Sequence, residues 1–275
     1  MNHRYSLFAA TAIVVLLFGV SGCYYYDDIE GSGILVEREL AYTGFDSIDI
    51  EIDGSAVTIT PSAEFGITLT ADDNIIDLVT VYPAEGGNTL QFALDRRARY
   101  DQVSVNLHIR MPSIANLTLG YNSWYYYYNS PTRSQATIES GFTLSEPFEI
   151  GGRAADLSIE GLSATDLSID WSSGDLIGTI SCTDLDFYTA TSGSIDLSGT
   201  ATNLDIEASG SEDIDLSALD VTDATVSILS TADVLLAASG SISGTISVGG
   251  SLTNDVALSP DTSELIDDNL AEEVE

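Results

Sequence analysis

The sequence predicts an all-β protein folded as a parallel, right-handed β-helix with coils of about 18–20 residues. Three observations predict it. First, from about residue 154 the chain repeats itself. Thr165-Asp166-Leu167-Ser168-Ile169-Asp170 returns as Thr183-Asp184-Leu185-Asp186-Phe187-Tyr188, then as Thr202-Asn203-Leu204-Asp205-Ile206-Glu207 and Thr222-Asp223-Ala224-Thr225-Val226-Ser227, at spacings of 18, 19 and 20 residues. Second, another strand series keeps the same period: Asp175-Leu176-Ile177, Ser194-Ile195-Asp196-Leu197, Asp213-Ile214-Asp215-Leu216 and Asp233-Val234-Leu235-Leu236. Third, apolar and polar residues alternate with the period of a strand, and no sustained helical stripe occurs outside a weak one in the tail.

One coil cannot hide its own apolar side, but coils stacked about 4.8 Å apart can. Alternation then assigns the inward columns. One holds Leu167, Leu185, Leu204 and Ala224, a second Ile169, Phe187, Ile206 and Val226, and a third Leu176, Ile195, Ile214 and Val234. The hand follows from the right-handed preference of parallel crossover connections. A leucine-rich repeat is excluded, because its L-x-x-L-x-L signature and helical arc are missing.

Taken in order, residues 1–22 read as a lipoprotein signal peptide. Arg4 precedes the apolar run from Leu7 to Phe18, which is too short to span a bilayer and has the length of a signal-peptide core. The run ends in Val20-Ser21-Gly22-Cys23, which resembles the bacterial lipobox; the resemblance implies cleavage before Cys23, palmitate-type acylation and anchoring of the chain to a membrane. Tyr24 rather than an aspartate follows, which by the same resemblance implies the outer membrane of a bacterium. Residues 23–30 then serve as a tether and 31–254 as the β-helix domain. Within that domain 31–111 carries short alternating strands such as Ser47-Ile48-Asp49-Ile50-Glu51-Ile52 and Val103-Ser104-Val105-Asn106-Leu107-His108-Ile109. His108 alternates outward there. Residues 120–136 form an aromatic insertion, and 255–275, with eight acids and no base, an acidic tail expected to stay solvated and disordered.

Composition removes several chemistries. The chain has 275 residues, 43 acids and 8 bases, all of them arginine, for a formal charge of −35. Without lysine there is no Walker A loop and no Schiff-base enzyme. Two histidines do not make a multi-histidine metal site. The negative charge repels phosphate backbones, so no nucleic-acid partner is expected. With Cys23 acylated, Cys182 stands alone, so no disulfide framework forms and Cys182 reads as a small buried hydrophobe.

Three stretches resemble a known family. They are Gly31-Ser32-Gly33 with Thr43-Gly44-Phe45-Asp46-Ser47-Ile48 behind it, Leu69-Thr70-Ala71-Asp72-Asp73-Asn74-Ile75-Ile76, and the Ser-Gly corners of Thr191-Ser192-Gly193-Ser194-Ile195-Asp196 and Ala208-Ser209-Gly210-Ser211-Glu212-Asp213. Together they resemble the putative auto-transporter adhesin, head GIN domain family, over roughly residues 31–250. The resemblance implies a parallel β-helix, export and life at the cell envelope, and it supplies no catalytic residues. The insertion and the tail depart from the family pattern.

Two candidate sites follow. Tyr121, Trp124, Tyr125, Tyr126, Tyr127 and Tyr128 offer aromatic faces able to stack on a glycan or a protein ligand. Asp186 over Asp205, and Asp196 over Asp215, are the positions a cation would use if one bound, since like charges on adjacent strands repel and no base follows Arg153. The calcium nonapeptide G-G-x-G-x-D-x-U-x is absent, so no dedicated metal site and no cofactor is expected. Arg96, Arg97 and Arg99 fall in a hairpin where they face acids or anionic lipid. The function expected is a non-enzymatic exported lipoprotein that presents its β-helix for surface binding or as an envelope scaffold. The alternatives are a polysaccharide-acting β-helix enzyme, disfavoured by a solenoid without bases, and a calcium-binding solenoid.

Overall fold

The computed structural model of the chain describes residues 27–94, 98–120, 133–190, 193–211, 213–247, 249–256 and 263–267, all strand, turn or irregular, with no helix among them. Its N-terminal strands are β1 (Asp27–Glu30), β2 (Leu35–Leu40), β3 (Ser47–Glu51), β4 (Ala56–Pro61), β5 (Gly66–Asp72), β6 (Val79–Pro83), β7 (Thr89–Leu94), β8 (Ala98–Asp101) and β9 (Val105–Met111). The coils follow as β10 (Asn116–Leu119), β11 (Ser134–Ile138), β12 (Phe142–Leu144), β13 (Phe148–Gly152), β14 (Ala155–Ala164), β15 (Asp166–Trp171), β16 (Leu176–Thr189), β17 (Ser194–Ala208), β18 (Asp213–Ile228), β19 (Asp233–Ala238), β20 (Ile242–Ile246), β21 (Ser251–Asn254) and β22 (Ser263–Asp267).

These strands stack in parallel into a β-solenoid with three walls. The first wall runs β7-β3-β10-β13-β15 and on through the C-terminal parts of β16, β17 and β18 to β20 and β22. The second runs β9-β4-β11-β14 and through the N-terminal parts of β16, β17 and β18 to β19 and β21. The third is short. It begins at β12 and passes through Leu162, Ile180, Gly199 and Leu219 to the end of β19.

The register matches the columns expected from alternation. Leu167 lies beside Leu185, Leu185 beside Leu204 and Leu204 beside Ala224, while Ile169, Phe187, Ile206 and Val226 align in the next column and Leu176, Ile195, Ile214 and Val234 in the third. All twelve are buried in one continuous core. Burying each aliphatic or aromatic side chain contributes about 1.5–3 kcal/mol, which is how short coils offset the entropy of ordering them. Trp171 is the largest fully buried side chain among the described residues. Its Nε1 donates to the Gly174 carbonyl at 3.0 Å. Gly152 occupies the next rung, and a Cβ there would overlap the indole ring, so the tryptophan fits only because its neighbour has no side chain.

The N-terminal end is built differently. After β4 the chain leaves the growing stack, makes the antiparallel strands β5 and β6, and returns as β7 and β9 on the outer side of β3 and β4. It then continues as β10 and β11 on the inner side of the same two strands. β2 adds antiparallel to β5. The result is a cap that closes one end of the solenoid.

Three expectations change at the margins. Part of the 23–30 tether is ordered: β1 pairs in parallel with β8. The 120–136 insertion is shorter than its sequence suggests, because Ser134–Ile138 is a wall strand with Ala136 and Ile138 buried. Part of the 255–275 tail is not free, since β22 pairs with β20, whose outer edge would otherwise leave its backbone groups unpaired.

Candidate functional site

The expected acid rungs exist, but they are short. Asp186 lies opposite Asp205 and Asp196 opposite Asp215 on successive coils. Ser168 and Thr225 flank the first pair along the stack, and Ile177 and Leu235 flank the second. Each column of like charge is therefore two residues high, so its repulsion is confined to one junction between coils.

Several other acids on the coils are hydrogen-bond acceptors, though Asp166 also lies opposite Asp184 and Asp213 opposite Asp233. The Asp156 carboxylate accepts the Asp175 N–H at 3.0 Å, and Asp175 accepts the Ser194 N–H at 2.9 Å. Asp184 accepts the Asn203 Nδ2 at 2.6 Å, and Asp233 accepts the Ser251 hydroxyl at 2.5 Å. Asp223 accepts both the N–H and the hydroxyl of Ser241, at 2.8 and 2.6 Å, and these bonds hold its pKa below the usual carboxylate value. Each of these links one coil to the next with a charged acceptor, the stronger kind of hydrogen bond. Asp215 instead accepts from Ser217 on its own coil, which lowers its pKa likewise. A base does reach two acids earlier in the stack, outside the paired columns. The Nη1 of Arg133 lies 3.2 Å from Asp156 and 4.0 Å from Asp175, because β11 is a rung of the same wall. Each partner stands at the equivalent position of the next coil, but whether the carboxylate meets an N–H, an amide or a hydroxyl there depends on corner geometry, which spacing alone does not encode.

Between these residues the first wall carries a shallow open groove of about 170 Å³ lined by Asp184, Asp186, Asn203, Asp205, Asp223 and Ser241. Its chemistry is carboxylate and hydroxyl, suited to hydrated cations, cationic groups or hydroxyl-rich ligands. Among the described residues no three His, Cys, Asp or Glu side chains converge to hold a metal ion. His108 stands on another wall, exposed, with its Nε2 2.9 Å from the Thr60 hydroxyl. Cys182 is a buried free thiol facing the third wall's interior, pushed up to about 11 by burial and, second, by the Asp184 carboxylate.

The second feature is the knot that ties the N-terminus to the cap. Asp72, fully buried, accepts the Gly33 N–H and the Ser104 N–H, each at 2.7 Å. Asn74 accepts the Ser32 N–H at 3.1 Å and donates to the Glu30 carbonyl at 2.8 Å. Gly31 N–H donates to the Asp101 carbonyl at 3.0 Å. Gly31-Ser32-Gly33 and Asp72-Asp73-Asn74, separate motifs in the sequence, thus form one hydrogen-bonded unit.

Cys23 and the aromatic residues Tyr121, Trp124, Tyr125, Tyr126, Tyr127 and Tyr128 lie outside the described residues, as do Arg96 and Arg97. The aromatic segment nonetheless has fixed ends. It leaves the first wall after Leu119 and enters the second at Ser134, which is why the Leu117-to-Ile150 rung spans 33 residues where the coils that follow span 18–21 along the same wall.

These features define a capped parallel β-solenoid with an acid- and hydroxyl-rich outer surface. The chain belongs to the family described as putative auto-transporter adhesin, head GIN domain, whose profile matches residues 44–255. Solved structures share the fold. A protein from Parabacteroides distasonis named a putative lipid binding protein superposes with a TM-score of 0.67 at 17% identity, over 88% of this chain and 97% of its own. A putative adhesin from the same organism gives 0.64 at 16% identity over 88% and 97%. A putative adhesin from Bacteroides fragilis gives 0.58 at 20% identity over 87% and 95%. No curated protein matches the sequence.

Proposed function

We propose that the chain is an exported lipoprotein, acylated on Cys23, that holds its β-solenoid at the bacterial outer membrane and binds surface ligands without catalysing a reaction. The observation that carries this reading is the distance from lipobox to fold. Only Tyr24, Tyr25 and Tyr26 separate Cys23 from β1, which is already paired with β8 in the cap. At most about 14 Å of chain joins the anchor to the fold. An anchored cap faces the membrane, and the stacked coils project their walls for roughly 40 Å beyond it. The adhesin names of the family and of two fold neighbours agree with such a presenting role.

The ligand surface proposed is the aromatic segment Tyr121–Tyr128, rooted between two walls, with glycan or protein as the ligand class. The test is a screen of the full chain against glycans and envelope fragments, repeated with residues 121–132 replaced by a short Gly-Ser link. Binding that is retained by the intact chain, lost on replacement and unaccompanied by cleavage is the expected result. Turnover of a bound polysaccharide would overturn the non-enzymatic assignment. Equal binding by both proteins would move the site to the walls.

A further inference from the structure

We propose that the exposed apolar run Ile34-Leu35-Val36, at the entry to β2, is a membrane-contact site that rests in the bilayer interface beside the lipid anchor. The inference rests on acylation at Cys23. Ile34, Leu35 and Val36 are 61%, 52% and 36% exposed. The other large exposed apolar side chains described, Tyr82 in the cap and Ile177, Tyr188, Leu229 and Val256 further along the chain, stand singly and need no explanation. Three in succession project to both sides of an edge strand, because side chains alternate.

The run is held rather than frayed. Ile34 N–H donates to the Ser32 hydroxyl at 3.1 Å, and its carbonyl accepts the Asp73 N–H at 2.8 Å. β2 pairs with β5 from Leu35 to Leu40. A rigid, unshielded apolar edge is an aggregation hazard unless something covers it. The position of the anchor identifies the cover. Glu30 and Gly31 are tied to Asn74 and Asp101, so the run is fixed relative to β1, whose first residue follows Cys23 by four positions. A membrane surface is therefore the nearest large apolar phase. The flanking charges are mainly acidic, Glu30, Glu37, Glu39 and Asp73, and Arg38 is engaged by Asp77. Attraction to anionic headgroups is thus not what holds the run, and the contact is expected to resist salt.

The test uses the full-length acylated chain reconstituted into phosphatidylethanolamine–phosphatidylglycerol vesicles. Leu35→Cys, in a Cys182→Ala background, is labelled with a nitroxide, and Ile177→Cys in the same background is the control. Power saturation should show the label at position 35 accessible to oxygen and shielded from a nickel chelate, in low and in molar sodium chloride. The label at position 177 should show the reverse. Absence of palmitate on Cys23 would overturn the anchor and this contact with it. Palmitoylated protein whose position 35 is as exposed to nickel as position 177 would overturn the contact alone. Dipolar broadening between labels at position 35 would assign the run to a second copy of the chain and equally overturn the bilayer assignment.

Discussion

Asp72 and Gly33, 39 residues apart, are joined by a 2.7 Å hydrogen bond from the glycine N–H to a carboxylate with no solvent exposure. The other carboxylate oxygen takes the Ser104 N–H. Gly33 adopts a positive φ of 74°, a conformation that glycine reaches without a Cβ penalty, and so turns its N–H to the acid. Asp72→Ala leaves two amides without their acceptor and is expected to cost about 1.5–3 kcal/mol. Asp72→Asn keeps the shape but sets an NH₂ against one of the donors, so it should destabilise as well. Chemical denaturation measures both, and amide exchange at Gly33 and Ser104 should accelerate before exchange in the coils. Unchanged stability in both variants would show that the knot does not hold the cap.

The solenoid register predicts a contrast between adjacent residues. Phe187 is 2% exposed between Ile169 and Ile206, while Tyr188 is 42% exposed on the outer side of the same strand. Phe187→Ala should cost about 3–5 kcal/mol, the usual range for emptying a buried aromatic site. Tyr188→Ala should cost about 1 kcal/mol or less. Equal losses in a denaturant titration would contradict the inward column.

How much of this was legible depends on where the signal repeats. The columns through Leu185, Phe187 and Ile195 could be read because period-two alternation and an 18–20-residue period reinforce one another. The third wall could not. Its rungs are about three residues long, as in Ile180-Ser181-Cys182 and Leu219-Asp220-Val221, so each shows a single alternation, and one rung shrinks to Gly199-Thr200-Ala201, too little to mark a separate wall. The cap was opaque for a topological reason: β7 and β9 are later in sequence than β3 and β4 but lie outside them, an order that no local pattern encodes. At the acid surface, the opposed pairs Asp186–Asp205 and Asp196–Asp215 followed from spacing. The bonds of Asp175 to Ser194 and of Asp223 to Ser241 did not, because corner geometry turns an N–H of the next coil toward the acid.

Cys182 gives a pH prediction. Burial, with a contribution from Asp184, raises its pKa from 9.0 to about 11. The unfolded thiol ionises first, so the stability it contributes is complete below about pH 9 and is lost as pH rises through 11. The thermal stability of the wild type should fall over that window more than that of Cys182→Ala. At pH 7.5 the native thiol should also resist a disulfide reagent until denaturant is added, because the thiolate is the reactive form. Rapid native labelling would mean that the thiol is neither buried nor shifted.

Salt separates screening from specific cation binding. The chain carries a formal charge of −35, with Asp186 opposite Asp205 and Asp196 opposite Asp215 on adjacent strands. Folding brings these carboxylates together and unfolding parts them, so repulsion opposes the folded state. The screening length falls from about 10 Å at 0.1 M to about 3 Å at 1 M, so Tm should rise smoothly with sodium chloride, and magnesium and calcium should act alike at equal ionic strength. Asp186→Asn should raise Tm at low salt and flatten the salt dependence, since it removes one member of a repelling pair. Asp175→Ala should instead lower Tm across the whole salt range, because it deletes the acceptor of the Ser194 N–H rather than a repulsion. Bound calcium would behave differently: stabilisation would follow mass action at millimolar concentrations and add to a curve flat in sodium. That pattern, abolished by Asp186→Asn, would make the paired aspartates a cation site. A smooth sodium dependence weakened by the same substitution assigns them to repulsion that the hydrogen-bonded acids around them outweigh.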